Sequence, residues 1–262
     1  MPISHASSSI EVALFPCLKD NYGFLLHDSA SGQTASIDTP EADPILAALK
    51  QQGWQLTHIL NTHHHWDHTG GNLELKKATG CTVIGPHSEA GRIPGLDTAV
   101  ADGDVIEFGG HRIEVLETSG HTSGHVVYYL PEEKLAFVGD TLFAMGCGRL
   151  FEGSAEQMWH SLQKIMAWPD DTRLYCAHEY TEANASFALT VEPENTELQQ
   201  RAKEVRGLRA ENQPTIPTTL IREKATNPFL RVDSPAIRSR LEMKNARPEE
   251  VFARIRALKD NF

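Results

Sequence analysis

The stretch NTHHHWDHTGG, residues 61–71, sets His63, His65, Asp67 and His68 within six consecutive positions. Imidazole nitrogen and carboxylate oxygen are ligands that zinc and related divalent metals accept, and the protein must present them close together with little freedom left to lose. No cysteine stands among the four, and structural zinc sites are usually closed and rich in thiolate. The pattern therefore points to two open, catalytic metal positions and to hydrolysis by an activated water. A tag remnant would lie at a terminus and lack the interleaved acid.

Three further positions share one context, an apolar strand running into a turn that presents a single imidazole or carboxylate. They are His121 in TSGHTSGH, Asp140 in FVGDTLF and His178 in YCAHEYT. Alone, each has an ordinary explanation: a turn histidine is commonly a hydrogen-bonded structural residue, and Asp140 before Thr141 can serve as a turn or cap residue. Taken with the first cluster they make a seven-ligand set. A Ser/His/Asp triad finds no support, because no G-x-S-x-G elbow occurs and TSG at 122–124 does not replace one.

These ligands need strands to carry them. IEVALF, YGFLLHD, TASID, LTHILNT, TVIG, HRIEVLE, HVVYYL and KLAFVGD read as strands, broken by Gly, Pro and Asp turns and by a helix over Asp43 to Gln52. The histidine cluster follows LTHILNT, and ligands in layered α/β proteins gather at the carboxyl ends of strands. Ser154 with Gln157 forms a capping box for a helix whose Met158, Leu162, Ile165 and Met166 share one face. RLYCAH is a last strand, ending at His178. After Tyr180 the strands are expected to stop: Leu198, Ala202, Val205 and Leu208 recur at helical spacing. Pro248 opens a final helix bearing Val251, Phe252, Ile255 and Leu258. The expectation is an α/β layered domain over 1–178 and a helical domain over 179–262.

The 262 residues, 40% of them hydrophobic, suffice for a substantial core. MPISHASSSIEVALF has neither a basic leader nor a long apolar run, so a cytosolic location is expected. Cys17, Cys81, Cys147 and Cys176 form no CxxC pair and read as buried small hydrophobes. The net charge of −11 is uneven: residues 1–180 hold 10 basic and 23 acidic side chains, residues 181–262 hold 14 and 12. The acidic region excludes a general nucleic-acid surface, whereas the basic tail can receive one small anionic ligand. No long apolar surface helix stands out, and a monomer without membrane partner is expected.

THHHWDH, TSGHTSGH, GDTLFAMGCGR and CAHEYT, in that order, resemble the motifs of the metallo-β-lactamase superfamily. With PTTL, NPFLR and RALKDNF in the tail, nearly the whole chain is similar to the glyoxalase II, or hydroxyacylglutathione hydrolase, family. The resemblance implies an αββα sandwich followed by a helical substrate-binding domain. It implies that His63, His65 and His121 hold one metal, that Asp67, His68 and His178 hold the other, and that Asp140 bridges them. Zinc is the expected metal, with iron and manganese compatible with the same donors. His64 and Trp66 would orient the loop. The nucleophile would be a hydroxide bridging the metals, with no separate side-chain nucleophile, and the substrate S-D-lactoylglutathione, split to glutathione and D-lactate. Arg149, Tyr180, Arg256 and Lys259 match glutathione-binding positions, and Arg256 with Lys259, three apart on a helix, are expected to grip one carboxylate together. Two departures from the family pattern stand out: Arg149 replaces a frequent Lys, and Phe151 lacks the hydroxyl of a Tyr found in some members.

Four rival readings fit less well. A metallo-β-lactamase proper commonly has a cysteine where Asp140 stands, and carries a secretion signal. A tRNA-processing nuclease meets the acidic first region. A glutathione persulfide dioxygenase uses one iron and normally lacks this tail, and a non-enzymatic glutathione-binding module would not need the complete ligand set.

Overall fold

β-Branched and aromatic residues crowd the first third of the chain, and their preference for a pleated, half-buried surface is realised there. The computed structural model describes residues 3–4 and 9–262. Their contacts divide the chain into two units: residues up to Glu117 with Ser123–Gly139, and Thr118–Thr122 with Asp140–Phe262.

In the first unit β1 (Ile3–Ser4), β2 (Ile10–Cys17), β3 (Asn21–Asp28), β4 (Thr34–Ile37), β5 (His58–Leu60), β6 (Thr82–Pro86) and β7 (Thr98–Val100) form one sheet in sequential order. Pairing is antiparallel from β1 to β4 and parallel from β4 to β7, with Leu60 of β5 between Ile37 and Ile84. Parallel neighbours need crossovers, and helices supply them. Helix α1 (Ala42–Gln52) joins β4 to β5, while α2 (Trp66–Thr69) and α3 (Asn72–Thr79) lie between β5 and β6. Ala42, Ile45 and Leu49 of α1 and Leu75 of α3 pack on Ile59 and Val83 in one buried apolar cluster.

An antiparallel meander follows: β8 (Val105–Phe108), β9 (His111–Glu117), β10 (Val126–Leu130) and β11 (Leu135–Gly139). Strands β10 and β11 are buried along their whole length. Phe24 of β3 meets Phe137 of β11 with ring centroids 5.6 Å apart, so the two sheets share this part of the core.

The second unit is mainly helical. It holds a two-stranded hairpin, β12 (Leu142–Phe143) with β13 (Gly146–Cys147), then α4 (Ala155–Met166), β14 (Arg173–Cys176), α5 (Thr181–Val191) and α6 (Thr196–Ala210). It ends with β15 (Thr218–Thr219), α7 (Leu220–Thr226), α8 (Pro235–Arg240) and α9 (Pro248–Asp260). The Ser154–Gln157 capping box forms as expected, and Met158, Leu162 and Ile165 are buried; Met166 is only partly so, and Trp159 completes the stripe. Strands do not stop at Tyr180, since Thr218 and Thr219 pair with Leu174 and Arg173. Two residues are too few to show a period in sequence. Pro248 occupies the first turn of α9, whose Val251, Phe252 and Ile255 are buried. Among the described residues no helix is long and apolar enough to cross a membrane.

Candidate metal centre

The loop after β5 is buried and polar, so its groups must find partners within the fold. Asn61 donates through Nδ2 to the His68 carbonyl at 2.9 Å and accepts from Asn72 at 2.7 Å. Its own carbonyl accepts from the Tyr128 hydroxyl at 2.7 Å. Asp38, at the end of β4 with φ +57°, is the main organiser. Its Oδ1 accepts from the Thr62 backbone N–H at 2.7 Å, and Oδ2 from the Thr62 hydroxyl and from His68 Nδ1, both at 2.8 Å.

These bonds assign the imidazole tautomers. The Thr62 hydroxyl spends its proton on Asp38, so at the 3.0 Å contact with His63 Nδ1 it accepts. An ionised Asp38 can only accept, so His68 Nδ1 donates to it. His121 Nδ1 likewise donates to the Arg149 carbonyl at 2.9 Å. Each ring therefore carries its proton on Nδ1 and its lone pair on Nε2, which is how metal-binding histidines are usually prepared.

The Nε2–carboxylate distances within each unit fit coordination better than hydrogen bonding, while His63 and His65 stand at hydrogen-bond distance. His68 Nε2 lies 3.5 Å from Asp67 Oδ2, and His63 Nε2 lies 3.0 Å from His65 Nδ1. Asn21 steadies Asp67 by donating to Oδ2 at 3.2 Å. In the second unit Asp140 turns Oδ2 toward His121 Nε2 and Oδ1 toward His178 Nε2, each at 3.4 Å. Two ligands about 2.0–2.1 Å from a tetrahedral zinc are about 3.4 Å apart, whereas a good N–H···O bond is about 2.9 Å. One carboxylate thus offers a separate oxygen to each of two imidazoles. Within the first unit four candidate ligands, His63, His65, Asp67 and His68, share one loop, and within the second Asp140 faces both His121 and His178.

The anion-binding candidates fall at different depths. Tyr180 stacks on His178, with centroids 4.8 Å apart and planes within 4°, and remains half-exposed. The Arg149 side chain is 65% exposed and its Nε stands 4.0 Å from Asp260. Phe151 is exposed too, with its ring 5.2 Å from that of His121. Arg256 is buried, and its guanidinium is engaged: Nε and a terminal nitrogen donate to Asp260 Oδ1 at 3.0 and 2.8 Å, and another donates to the Cys147 carbonyl at 2.8 Å. Arg256 and Lys259 therefore differ, one turned inward and the other still reaching water. Burial, then the nearby charges of Arg256 and Arg149, lowers the Lys259 ammonium to about 8.

Two profile matches divide the chain. Residues 25–178 match the metallo-beta-lactamase superfamily, and residues 179–262 match the hydroxyacylglutathione hydrolase C-terminus. Hydroxyacylglutathione hydrolases of Maricaulis maris and Rhizobium meliloti are each 58% identical to it over 255 residues, covering 97% of this chain and 100% of theirs. The chain belongs to the hydroxyacylglutathione hydrolase family. Its fold is accordingly the metallo-β-lactamase domain followed by the family's helical domain. Solved structures of the same fold include the BLEG-1 B3 metallo-beta-lactamase (TM-score 0.64, 21% identity, 84% of this chain and 99% of that one). Another is ETHE1 from Myxococcus xanthus (TM-score 0.63, 25% identity, 99% and 97%).

The motifs leave out residues that hold the candidate ligands and their loop. Asp38 is one, although TASIDTP shows the same signal as FVGDTLF, an apolar strand ending on an acid. Glu89 is another: buried, it accepts from the His64 backbone at 2.7 Å, from His64 Nδ1 at 2.8 Å and from the Gly124 backbone at 3.0 Å. No sequence pattern marks it, because its partners lie 25 and 35 residues away.

Proposed function

We propose that this chain hydrolyses the thioester of S-2-hydroxyacylglutathiones, S-D-lactoylglutathione among them. Water adds to the acyl carbon, the carbon–sulfur bond breaks, and glutathione and the 2-hydroxy acid, here D-lactate, are released. The observation that carries the reading is the pair of 3.4 Å separations at Asp140, one oxygen to each imidazole, in a chain that matches a hydroxyacylglutathione hydrolase over 97% of its length. In this reading His63, His65 and His121 hold one metal, Asp67, His68 and His178 the other, and Asp140 both. Zinc is the metal proposed, since the imidazole and carboxylate donors suit it.

Bound there, the metals supply an acidified water as nucleophile and positive charge for the developing oxyanion. The side chains do the remaining work. Asp38 and Thr62 keep His63 and His68 in the Nε2 tautomer, and the Arg149 carbonyl does so for His121. The leaving thiolate has an ordinary thiol pKa of about 8.5, so no general acid is needed. Arg149, Tyr180 and Lys259 are proposed to contact the glutathione moiety, with Arg256 acting through its hold on Asp260 and Cys147. Residues 1–178 would then perform the chemistry, and residues from 179 onward, together with Arg149, would choose the substrate.

The test is purified protein with S-D-lactoylglutathione, with and without a chelator, following thioester loss and oxygen uptake together. The proposal expects thioester loss without oxygen uptake, abolished by chelator and restored by zinc. Oxygen consumption on glutathione persulfide with no thioester loss would overturn it, as would turnover that survives complete metal removal.

A further inference from the structure

The tail motifs PTTL and NPFLR carry no proposed ligand and none of the proposed glutathione contacts, yet two of their polar side chains, Thr218 and Asn227, are deeply buried. Their partners explain them. The hairpin β12–β13 begins two residues after Asp140 and ends two residues before Arg149, and residues 141–148 are all buried. A hairpin of two residues per strand has little stability of its own, and its outward backbone groups need partners once buried. Helical-tail side chains provide them. Asn227 Nδ2 donates to the carbonyls of Phe143 at 3.1 Å and Gly146 at 2.9 Å, and Asn184 Nδ2 to that of Ala144 at 3.2 Å. Glu223 Oε2 accepts from the Met145 backbone at 2.8 Å, at a turn where Met145 takes φ +56°. Arg256 takes the Cys147 carbonyl at 2.8 Å.

Glu223 is the node. Its side chain is wholly buried, its Oε1 accepts from Arg201 and from Thr218 at 2.7 Å, and its Oε2 accepts from Met145 and from Asn227 at 3.1 Å. Both ends of the captured hairpin bear on ligands. Asp140 lies at its entrance, and at its exit the Arg149 carbonyl orients His121. The ends are also clamped to each other: a Cβ on Gly148 would collide with the Asp140 carbonyl oxygen.

We propose that Asn184, Glu223, Asn227 and Arg256 are positioning residues for the metal-bridging carboxylate. They fix the hairpin and, through it, Asp140 and the Arg149 carbonyl. The inference rests on the metal-hydrolase reading above and gives the helical tail a second task, holding a metal ligand in place from a distance.

The test compares zinc-loaded wild type with Asn227→Ala, Asn184→Ala and, as a control of packing alone, Ile45→Ala in the α1 core. Each is measured for zinc retained against a graded chelator, for Tm, and for kcat and KM. Asn227→Ala should release zinc at about 10–100-fold lower chelator and lose kcat by a similar factor, with KM within about twofold. Asn184→Ala, which loses one bond, should do so by about threefold to tenfold and stands in if Asn227→Ala fails to fold. Ile45→Ala should lower Tm while keeping zinc retention and kcat. The proposal is overturned if the asparagine variants hold zinc as wild type does, or if Ile45→Ala at equal loss of Tm sheds zinc equally. A wild type that binds zinc but cleaves no thioester would sink the functional reading, while loss of zinc in Asn227→Ala would still uphold the positioning role.

Discussion

Between His63 and His68 the chain sets four of the proposed metal ligands in one loop, while the other three, His121, Asp140 and His178, come from three separate turns. The loop is oriented by Thr62 beside His63 and by one carboxylate from the adjacent strand β4, Asp38, shared by Thr62 and His68. The dispersed ligands draw on several elements of the second unit: His121 on the carbonyl of Arg149, and Asp140 on a hairpin gripped by Asn184, Asn227, Glu223 and Arg256. The dense motif borrows geometry chiefly from one neighbouring strand end, whereas the dispersed set borrows it from many elements of its unit. Damage to the tail should therefore reach the second set first.

The largest effect expected is at Asp140. Asp140→Ala removes both carboxylate oxygens and should reduce bound metal from two ions to one. The lost charge stabilisation corresponds to about 10³-fold or more in kcat. Metal content by atomic emission beside steady-state kinetics checks it. Two metals retained, with kcat within about tenfold of wild type, would break the assignment of Asp140 as the bridge.

Asp38→Asn probes the loop. The substitution keeps the shape but replaces a charged acceptor for His68 Nδ1 with a neutral one. Metal affinity should fall about 10–100-fold, read as the chelator concentration that removes half the zinc. Kinetics in saturating zinc should recover most of the activity. If Asp38→Asn leaves chelator resistance unchanged, the orientation of the loop owes nothing to this carboxylate.

How far the chain could be read in advance follows the same division. His63, His65, Asp67 and His68 are legible because their spacing is the signal, and the strands and capping box that carry the ligands follow from local periodicity and propensity. The hairpin of β12 and β13 and the strand β15 were not legible, since two-residue strands exist only by virtue of what surrounds them. Arg256 shows the limit most clearly. Helical spacing places it beside Lys259, yet spacing carries no information on depth, and the fold spends Arg256 on Cys147 and Asp260 while Lys259 stays partly open.

That last difference gives the smallest and most specific prediction. Lys259 hangs over the rings of Phe187 and Phe262, 5.2 Å from each centroid, and burial with Arg256 and Arg149 nearby lowers it from 10.5 to about 8. The sign follows: below about pH 8 the ammonium is charged and can pair with a glutathione carboxylate, and above it the pairing fades. KM for S-D-lactoylglutathione should rise between pH 7 and 9, with no matching change in kcat from this group. A bound carboxylate favours the charged amine, so the step should lie higher in the complex than in the free enzyme reported by kcat/KM. Lys259→Met should raise KM at pH 7 by only about threefold to fivefold, because the group is half-solvated, and should flatten the rise. A rise in KM that persists unchanged in Lys259→Met would move the titration to the substrate's own amine and leave the affinity for glutathione to Arg149 and Tyr180.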